Sequence, residues 1–239
     1  MKTVLITGSG GGIGSATVKL FKTKGWKTVG LDLVENDNLS DIYIKYDLEN
    51  FHNLEKISEI LSSQGICGID ALVNNAAVQI VKPLSEITCE DWTKTINVNL
   101  SAPLFLIKAL LPYLKKAKGS VINVSSIHSN LSKANFSLYA TSKGGLTTMT
   151  KVLALELAPE IRVNAVLPAA TATEMLIDGF KIKPEKLAEL KEYHPLKRIA
   201  ETNEIAEVIY FLASESSSFI SGSAIEVNGG IGVKLHDPE

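Results

Sequence analysis

Cysteine is scarce in this chain of 239 residues, which contains only Cys67 and Cys89. The two are not spaced as a CxxC pair or as ligands of a zinc site, so the sequence predicts neither a disulfide framework nor a metal centre. An excess of positive charge is also absent, because 24 Lys and Arg residues stand against 26 Asp and Glu residues. This balance argues against a nucleic acid or an anionic membrane surface as a partner.

A long hydrophobic run is missing as well. The longest apolar stretch, 102–114, is interrupted by Lys108 and Pro112 and is expected to be too short to cross a bilayer. At the N-terminus the apolar run ends at Gly8, which makes it shorter than a signal peptide requires. We therefore expect a cytoplasmic protein that has no membrane partner.

The chain does contain a regular alternation of short β-branched runs with longer segments of helical period, which is typical of βαβ units. We predict an α/β fold: a single doubly wound Rossmann-type domain over 1–239, with a parallel seven-stranded sheet and helices on both faces. Strands are expected near 2–7, 27–32, 42–46, 69–74, 119–124, 161–167 and 223–227. Helices are expected near 13–24, 52–64, 89–116, 136–158, 174–192 and 202–213.

The segment 170–200 departs from this pattern. It contains Gly179, Pro184 and Pro195 next to the apolar residues of 175–180. We predict a substrate lid near 170–200, placed over a pocket. The alternative is an amphipathic surface helix with its loops.

A glycine-rich turn lies between the first predicted strand and the first predicted helix, and it contains Gly8, Gly12, Ile13 and Gly14. Glycine permits a tight turn, a close approach of the backbone to a pyrophosphate, and close packing of the helix on the sheet. The free N–H groups at the start of the helix also attract phosphate. We predict that this turn binds the pyrophosphate of a dinucleotide.

An acidic residue, Asp32, ends the second predicted strand. Its separation from the glycine turn is close to the roughly 20 residues at which dinucleotide-binding folds place a carboxylate on the adenosine ribose. Such a carboxylate repels the 2′-phosphate of NADP, and the following Leu33, Val34 and Glu35 offer no cation. The sequence therefore predicts NAD as the cofactor.

Three residues form a candidate catalytic set. Ser126 follows the strand expected near 119–124, while Tyr139 and Lys143 are four positions apart on the next helix and share one face of it. A phenol has an ordinary pKa of about 10, and a neighbouring ammonium is expected to lower the pKa of Tyr139. We predict that Tyr139 exchanges a proton with the substrate and that Ser126 hydrogen-bonds the same substrate oxygen.

The spacing of tyrosine and lysine occurs a second time, at Tyr193 and Lys197. Pro195 lies between them and argues against a helix that would bring both side chains to one face. No serine-tipped strand precedes this second copy at a suitable distance. We therefore predict that Tyr193 and Lys197 have no catalytic role.

Taken together, these motifs resemble those of the short-chain dehydrogenase/reductase family, in its short single-domain branch, over residues 2–230. The glycine turn matches the family pattern Thr-Gly-x-x-x-Gly-x-Gly. Further matches are Asp47 and Leu48 for the pair that contacts adenine, Asn75 in the Asn-Asn-Ala-Gly motif, Asn99 in the catalytic set, and Pro168 and Thr173 in the loop at the nicotinamide end.

The resemblance implies a role for each member of the catalytic set. Tyr139 would be the general acid/base, Ser126 would hold the reacting oxygen, and Lys143 would bind the nicotinamide ribose and lower the pKa of Tyr139. Asn99 would help to hold a proton-relay water. The resemblance also implies that two long helices pair across a two-fold axis, giving a homotetramer or a homodimer.

The activity implied is the NAD(H)-dependent interconversion of a secondary alcohol and a ketone on a small molecule. Two other functions remain alternatives: a sugar-nucleotide epimerase or dehydratase on a related fold, and a non-catalytic, cofactor-sensing binding protein. The glycine spacing and the short C-terminal part count against the first. The presence of both Tyr139 and Lys143 counts against the second.

Overall fold

Seven strands form one parallel sheet in the computed structural model, which describes residues 1–181 and 184–235. The strands are β1 Thr3–Thr7, β2 Lys27–Asp32, β3 Ile42–Lys45, β4 Ala71–Asn74, β5 Ser120–Val124, β6 Arg162–Pro168 and β7 Ala224–Val227. Their order is β3-β2-β1-β4-β5-β6-β7, and each neighbouring pair is parallel. The predicted α/β fold is confirmed. The strand order reverses between β1 and β4, which is where doubly wound sheets open a crevice for a ligand.

Eight helices accompany the strands in the part of the chain that the structure describes. They are α1 Gly12–Thr23, α2 Glu55–Ser63, α3 Cys89–Ile96, α4 Ala102–Ala117, α5 Ser137–Glu156, α6 Glu174–Gly179, α7 Pro184–Tyr193 and α8 Thr202–Ala213. The single helix expected over 174–192 is wrong, because α6 ends at Gly179 and α7 begins at Pro184. Residues 182 and 183, which belong to the predicted lid, lie outside the described residues, as do 236–239.

The core consists of two layers, one on each face of the sheet. Successive side chains of a strand point to opposite faces, so Val4 and Ile6 of β1 pack in one cluster with helices α1 and α8. Leu5 faces the other way and packs with helices α2, α4 and α5. All three side chains are fully buried. Helices therefore cover both faces of the sheet, as a parallel sheet requires.

The stretch from α3 to α4 is one continuous helical run, in which the segment Asn97–Ser101 is π-helical. By length and composition alone, Cys89–Ala117 could cross a membrane. In the fold, however, Leu106, Leu110 and Leu114 of this run are fully buried against the sheet. The apolar composition of the run is therefore that of a core helix.

Candidate active site

The glycine turn joins the end of β1 to the start of α1. Gly8 and Gly12 have φ values of +66° and +51°, a region that favours glycine. A Cβ atom on Gly14 would lie 1.8 Å from the carbonyl oxygen of Gly8, so the first turn of α1 packs directly on the end of β1. No side chain caps α1. The N–H groups of its first turn are consequently available to an anion such as a pyrophosphate.

Two side chains link this turn by hydrogen bonds to the residues that follow strand β4. The Asn75 Nδ2 donates to the carbonyl oxygens of Thr7 at 3.0 Å and Gly8 at 3.2 Å. In the opposite direction, the Thr7 Oγ1 accepts from the backbone N–H groups of Asn75 and Ala76, both at 3.0 Å. Asn75 therefore supports the turn as well as lying next to it. Ile13 packs partly buried on the core beneath the turn.

Asp32 lies at the end of β2 with its carboxylate directed to the glycine turn. Its Oδ2 accepts from the Gly10 N–H at 2.8 Å, and its Oδ1 accepts from the Leu33 N–H at 2.6 Å. An ionised carboxylate has about four acceptor positions. After these two bonds, each oxygen of Asp32 can still accept from a hydroxyl, as the ribose of a dinucleotide would require.

Asp37 supports the same corner and was not predicted from the sequence. It is buried and accepts from the N–H groups of Leu39 at 3.0 Å and Ser40 at 2.9 Å. Burial opposes ionisation, but the hydrogen bonds from Ser40 and Leu39 outweigh it, and the pKa of Asp37 is lowered. A Cβ on Gly30 would lie 2.2 Å from the Asp37 Oδ2. The missing side chain of Gly30 is thus what admits this carboxylate.

The adenine pair predicted from the family motif follows β3. Asp47 is exposed, and its Oδ1 accepts from the Glu49 N–H at 2.9 Å, which starts a short 3₁₀ helix, Leu48–Asn53. Leu48 is buried in the core. In this structure Asp47 caps the 3₁₀ helix and Leu48 packs in the core. Their contact with adenine stays a prediction.

The nicotinamide loop predicted from the motif follows β6, which ends at Pro168. Thr173 caps α6, because its Oγ1 accepts from the Leu176 N–H at 3.2 Å. Its methyl carbon would lie 3.0 Å from a Cβ placed on Gly12. The base of the predicted lid thus rests against the glycine turn.

Ser126, Tyr139 and Lys143 come together at the carboxyl end of β5. Ser126 follows β5 and is 6% exposed, and its Oγ accepts from the His128 N–H at 3.2 Å. Tyr139 lies in the first turn of α5 and Lys143 in the second. The Lys143 Nζ is 5.6 Å from the centre of the Tyr139 ring and donates to the Val124 carbonyl at 2.7 Å.

Burial dominates the proton affinities of this set. It raises the pKa of Tyr139 to about 12, and a hydrogen bond with the Ser126 side chain acts in the opposite direction. It lowers the pKa of Lys143 to about 7. The lowering of the Tyr139 pKa by Lys143 stays a prediction. Burial opposes it, because burial favours the uncharged form of Lys143, whose Nζ is directed to the Val124 carbonyl.

Asn99 lies in the π-helical segment, a feature frequently found at functional sites, and it is fully buried. Its Oδ1 accepts from the Val78 N–H at 2.8 Å, while its Nδ2 donates to the Val78 carbonyl at 2.9 Å and to the Ser142 Oγ at 3.0 Å. Ser142 in turn donates to the Tyr139 carbonyl at 2.8 Å. Asn99 is thereby connected to the turn of α5 that carries Tyr139 and Lys143. Ser142 was missed, since a serine within a helix gives no signal.

Comparison with known proteins agrees with this geometry. A family model described as enoyl-(acyl carrier protein) reductase matches residues 8–232. The chain is 36% identical to the 3-oxoacyl-[acyl-carrier-protein] reductase FabG of Thermotoga maritima, with 96% of this chain and 97% of that protein covered. It is 33% identical to carbonyl reductase [NADPH] 2 of Sus scrofa, with 95% and 94% covered. The chain belongs to the short-chain dehydrogenase/reductase family.

Solved structures of other family members superpose on this one. An aldohexose dehydrogenase of Thermoplasma acidophilum, in ligand-free form, has a TM-score of 0.94 at 30% identity, covering 100% of this chain and 96% of that one. A 4-hydroxyisoleucine dehydrogenase complexed with NADH has a TM-score of 0.91 at 26% identity, covering 98% and 100%. These relatives support an oxidoreductase that uses a nicotinamide cofactor.

The second tyrosine–lysine pair is divided between different partners. The Tyr193 hydroxyl donates to the Glu189 Oε1 at 3.0 Å, and the Lys197 Nζ donates to the Glu192 carbonyl at 3.1 Å. Lys197 has a φ of +55°, outside any helix. The structure does not bring this pair to one face of a helix as it does Tyr139 and Lys143.

The close contact within the glycine turn predicts the effect of adding one methyl group. Gly14→Ala should lower the free energy of unfolding by about 3 kcal/mol, because its Cβ meets the Gly8 carbonyl. Gly11→Ala is the matched control, since no atom lies within 4 Å of its Cβ position and its φ of −151° suits alanine. Urea unfolding of both variants measures the effect. Equal stability of the two variants would contradict this description of the turn.

The lowered pKa of Lys143 predicts how stability depends on pH. Between about pH 7.5 and 9.5 the unfolded state binds more protons at this lysine than the folded state, so stability should rise with pH by up to about 1 kcal/mol per pH unit from this group. Lys143→Met should remove that contribution. Lys151→Met, an exposed lysine of the same helix, should keep it. Urea unfolding at several pH values tests this, and an unchanged slope in Lys143→Met would refute the burial argument.

Proposed function

We propose that this short-chain dehydrogenase/reductase uses NAD(H) to interconvert a secondary alcohol and a ketone, with Tyr139 as general acid/base. The observation that supports this most directly is the meeting of half-buried Tyr139 with buried Ser126 and Lys143 at the same sheet edge as the glycine turn. A proton donor and a dinucleotide site then lie at one crevice. Bound nicotinamide would supply or accept the hydride.

Tyr139 and Ser126 can act on the same substrate oxygen. With a pKa of about 12, Tyr139 carries its proton at neutral pH and can donate it to a ketone oxygen during reduction. The Ser126 Oγ accepts from the His128 N–H, and we propose that its hydroxyl hydrogen, which is directed to Tyr139, bonds the substrate oxygen once substrate is bound. In the oxidation direction, Tyr139 would take the proton back from the alcohol.

Lys143 and Asn99 have supporting roles in this proton transfer. The Lys143 Nζ is anchored on the Val124 carbonyl, and we propose that it binds the nicotinamide ribose when the cofactor is present. The Asn99 side chain is engaged by Val78 and Ser142, which favours a positioning role for its amide. The proton-relay water that the family resemblance implies for Asn99 remains part of the proposal.

The preference for NAD(H) is supported by Asp32. Its two oxygens are already directed by the Gly10 and Leu33 N–H groups and present further acceptor positions suited to ribose hydroxyls. A 2′-phosphate at this place would meet a like charge. Structures of relatives include a dehydrogenase complexed with NADH, whereas the pig carbonyl reductase carries NADPH in its name, so family membership leaves the choice to local residues.

The two alternative functions have less support. The relatives named above are reductases and dehydrogenases. This favours a net oxidation or reduction of the substrate over epimerisation or dehydration. A cofactor-sensing protein needs no proton donor. The placement of Tyr139 next to the buried Lys143 is therefore better explained by catalysis.

Assembly and location are also part of the proposal. Apolar side chains remain partly exposed on the two long helices, with Leu104 and Phe105 of α4 at 38% and Val152 of α5 at 47%. Burying this face against a second copy would give a homodimer, and a further pairing a homotetramer. We place the protein in the cytoplasm. The lid over 170–200 is proposed to close on the substrate.

Removing the phenolic hydroxyl should abolish most of the activity. Tyr139→Phe keeps the ring but loses the proton donor, so kcat should fall by roughly 100- to 10,000-fold while NADH still binds. Tyr193→Phe, in the second tyrosine–lysine pair, should keep turnover within about two-fold. Absorbance of NADH during turnover of a panel of hydroxy acids, sugars, polyols and cyclic alcohols provides the assay. Near-normal turnover of Tyr139→Phe would remove Tyr139 from the mechanism.

The unmodified protein should prefer NAD(H) over NADP(H) by several-fold to some hundredfold, on the order of 1 to 3 kcal/mol. The double variant Asp32→Ala with Leu33→Arg should shift kcat/KM toward NADP(H), because it replaces a repelling carboxylate by a cation. Steady-state kinetics with both cofactors measure this shift. Equal efficiency of the unmodified protein with NADH and NADPH would show that Asp32 does not select the cofactor.

Assembly has its own measurement. Light scattering at micromolar protein should give the mass of a dimer or a tetramer rather than 25.8 kDa. Phe105→Glu on α4 should shift the protein toward smaller species, because it places a charge in the proposed contact. A monomeric mass for the unmodified protein would exclude this assembly.

A further inference from the structure

The loop that follows Asp32 is held by side chains of the neighbouring strand β3. Asp32 and Lys45 are partners in the parallel pairing of β2 with β3, so their side chains leave the sheet on the same face. The Lys45 ammonium forms an ion pair with Glu35. The Tyr43 hydroxyl donates to the Val34 carbonyl. These two contacts tie the loop after Asp32 to β3.

This corner of the molecule carries several negative charges. The pKa of Tyr43 is raised to about 12, first by burial and then by the charges of Asp32, Asp37 and Glu35. Tyr43 therefore stays protonated and keeps its hydrogen bond. Against these carboxylates stands a cation, Lys45, whose backbone pairs with that of Asp32 across β2 and β3. The residues immediately after Asp32 do not indicate this cation, because Lys45 belongs to another strand, β3.

The Lys45–Glu35 ion pair lies in solvent. The side chains of Lys45 and Glu35 are 53% and 88% exposed, and a pair so exposed is weak. A lysine side chain is long and flexible. If Glu35 lost its charge, the ammonium could turn to Asp32 or to an anion bound beside it, and either contact would reduce the repulsion of a phosphate there.

We propose that Glu35 and Lys45 are specificity-determining residues for the dinucleotide. Glu35 occupies the Lys45 ammonium and so withholds a countercharge from the 2′-phosphate of NADP(H). Asp32 repels that phosphate directly, whereas Glu35 acts through Lys45. This inference rests on the proposed function, in which Asp32 receives the adenosine ribose.

The test is a cycle of four proteins: unmodified, Glu35→Gln, Lys45→Gln and the double variant. Fluorescence titration at low ionic strength gives the Kd for NADPH and the Kd for NADH, and the ratio is the first divided by the second. That ratio should fall three- to ten-fold in Glu35→Gln and return to the unmodified value in the double variant, which lacks the cation. In 0.5 M salt the change should shrink, because exposed charges are screened.

A control variant separates this effect from a general change in net charge. Glu215 forms an ion pair with Lys2 at 3.0 Å and is 87% exposed, but Lys2 precedes β1 and so lies at the opposite edge of the sheet. Glu215→Gln should leave the Kd ratio unchanged. An equal fall in Glu35→Gln and the double variant, or no fall in either, would overturn the role of Lys45. Equal Kd values of the unmodified protein for NADPH and NADH would instead count against the role of Asp32 and thus against the proposed function.

Discussion

The contact between the first turn of α1 and the end of β1 is the constraint on which the rest of the site depends. With 1.8 Å between the Gly8 oxygen and a Cβ on Gly14, the helix can lie this close only because Gly14 has no side chain. The neighbours then hold the turn from two sides, through the Asn75 amide on the Thr7 and Gly8 carbonyls and the Asp32 carboxylate on the Gly10 N–H. The first N–H groups of α1 are thereby presented to a ligand at a fixed place.

A second constraint brings the proton-transfer residues to the same edge. All strands are parallel, so their carboxyl ends meet at one side of the sheet. A chain of buried side chains sets the position of α5: the Asn74 Nδ2 donates to the Asn123 Oδ1 at 2.8 Å, and the Asn123 Nδ2 donates to the Thr150 Oγ1 at 2.9 Å. These bonds join β4, β5 and α5. Buried hydrogen bonds of this kind favour one packing of the helix on the sheet over alternative packings.

The sequence predicted which segments form the strands and which strand ends carry the candidate site. It could do so because β-branched runs and glycine spacing are local signals. Gly179 and Pro184 are also local signals for the end and the start of a helix, and they mark the division into α6 and α7 that the periodicity of 174–192 concealed. Asp37 could not be predicted in the same way. Its importance depends on Gly30 of another element, and alone it resembles any acidic residue of a turn.

The proton affinities of Tyr139 and Lys143 show where spacing stops being informative. Four positions on a helix predict proximity, and from proximity alone an ammonium should stabilise a phenolate. Burial opposes this effect, because desolvation disfavours the charged form of both groups. With pKa values of about 12 and about 7, both side chains are mostly neutral between those two pH values. Burial therefore disfavours a phenolate at Tyr139, and Lys143 can offset that cost only in its charged form.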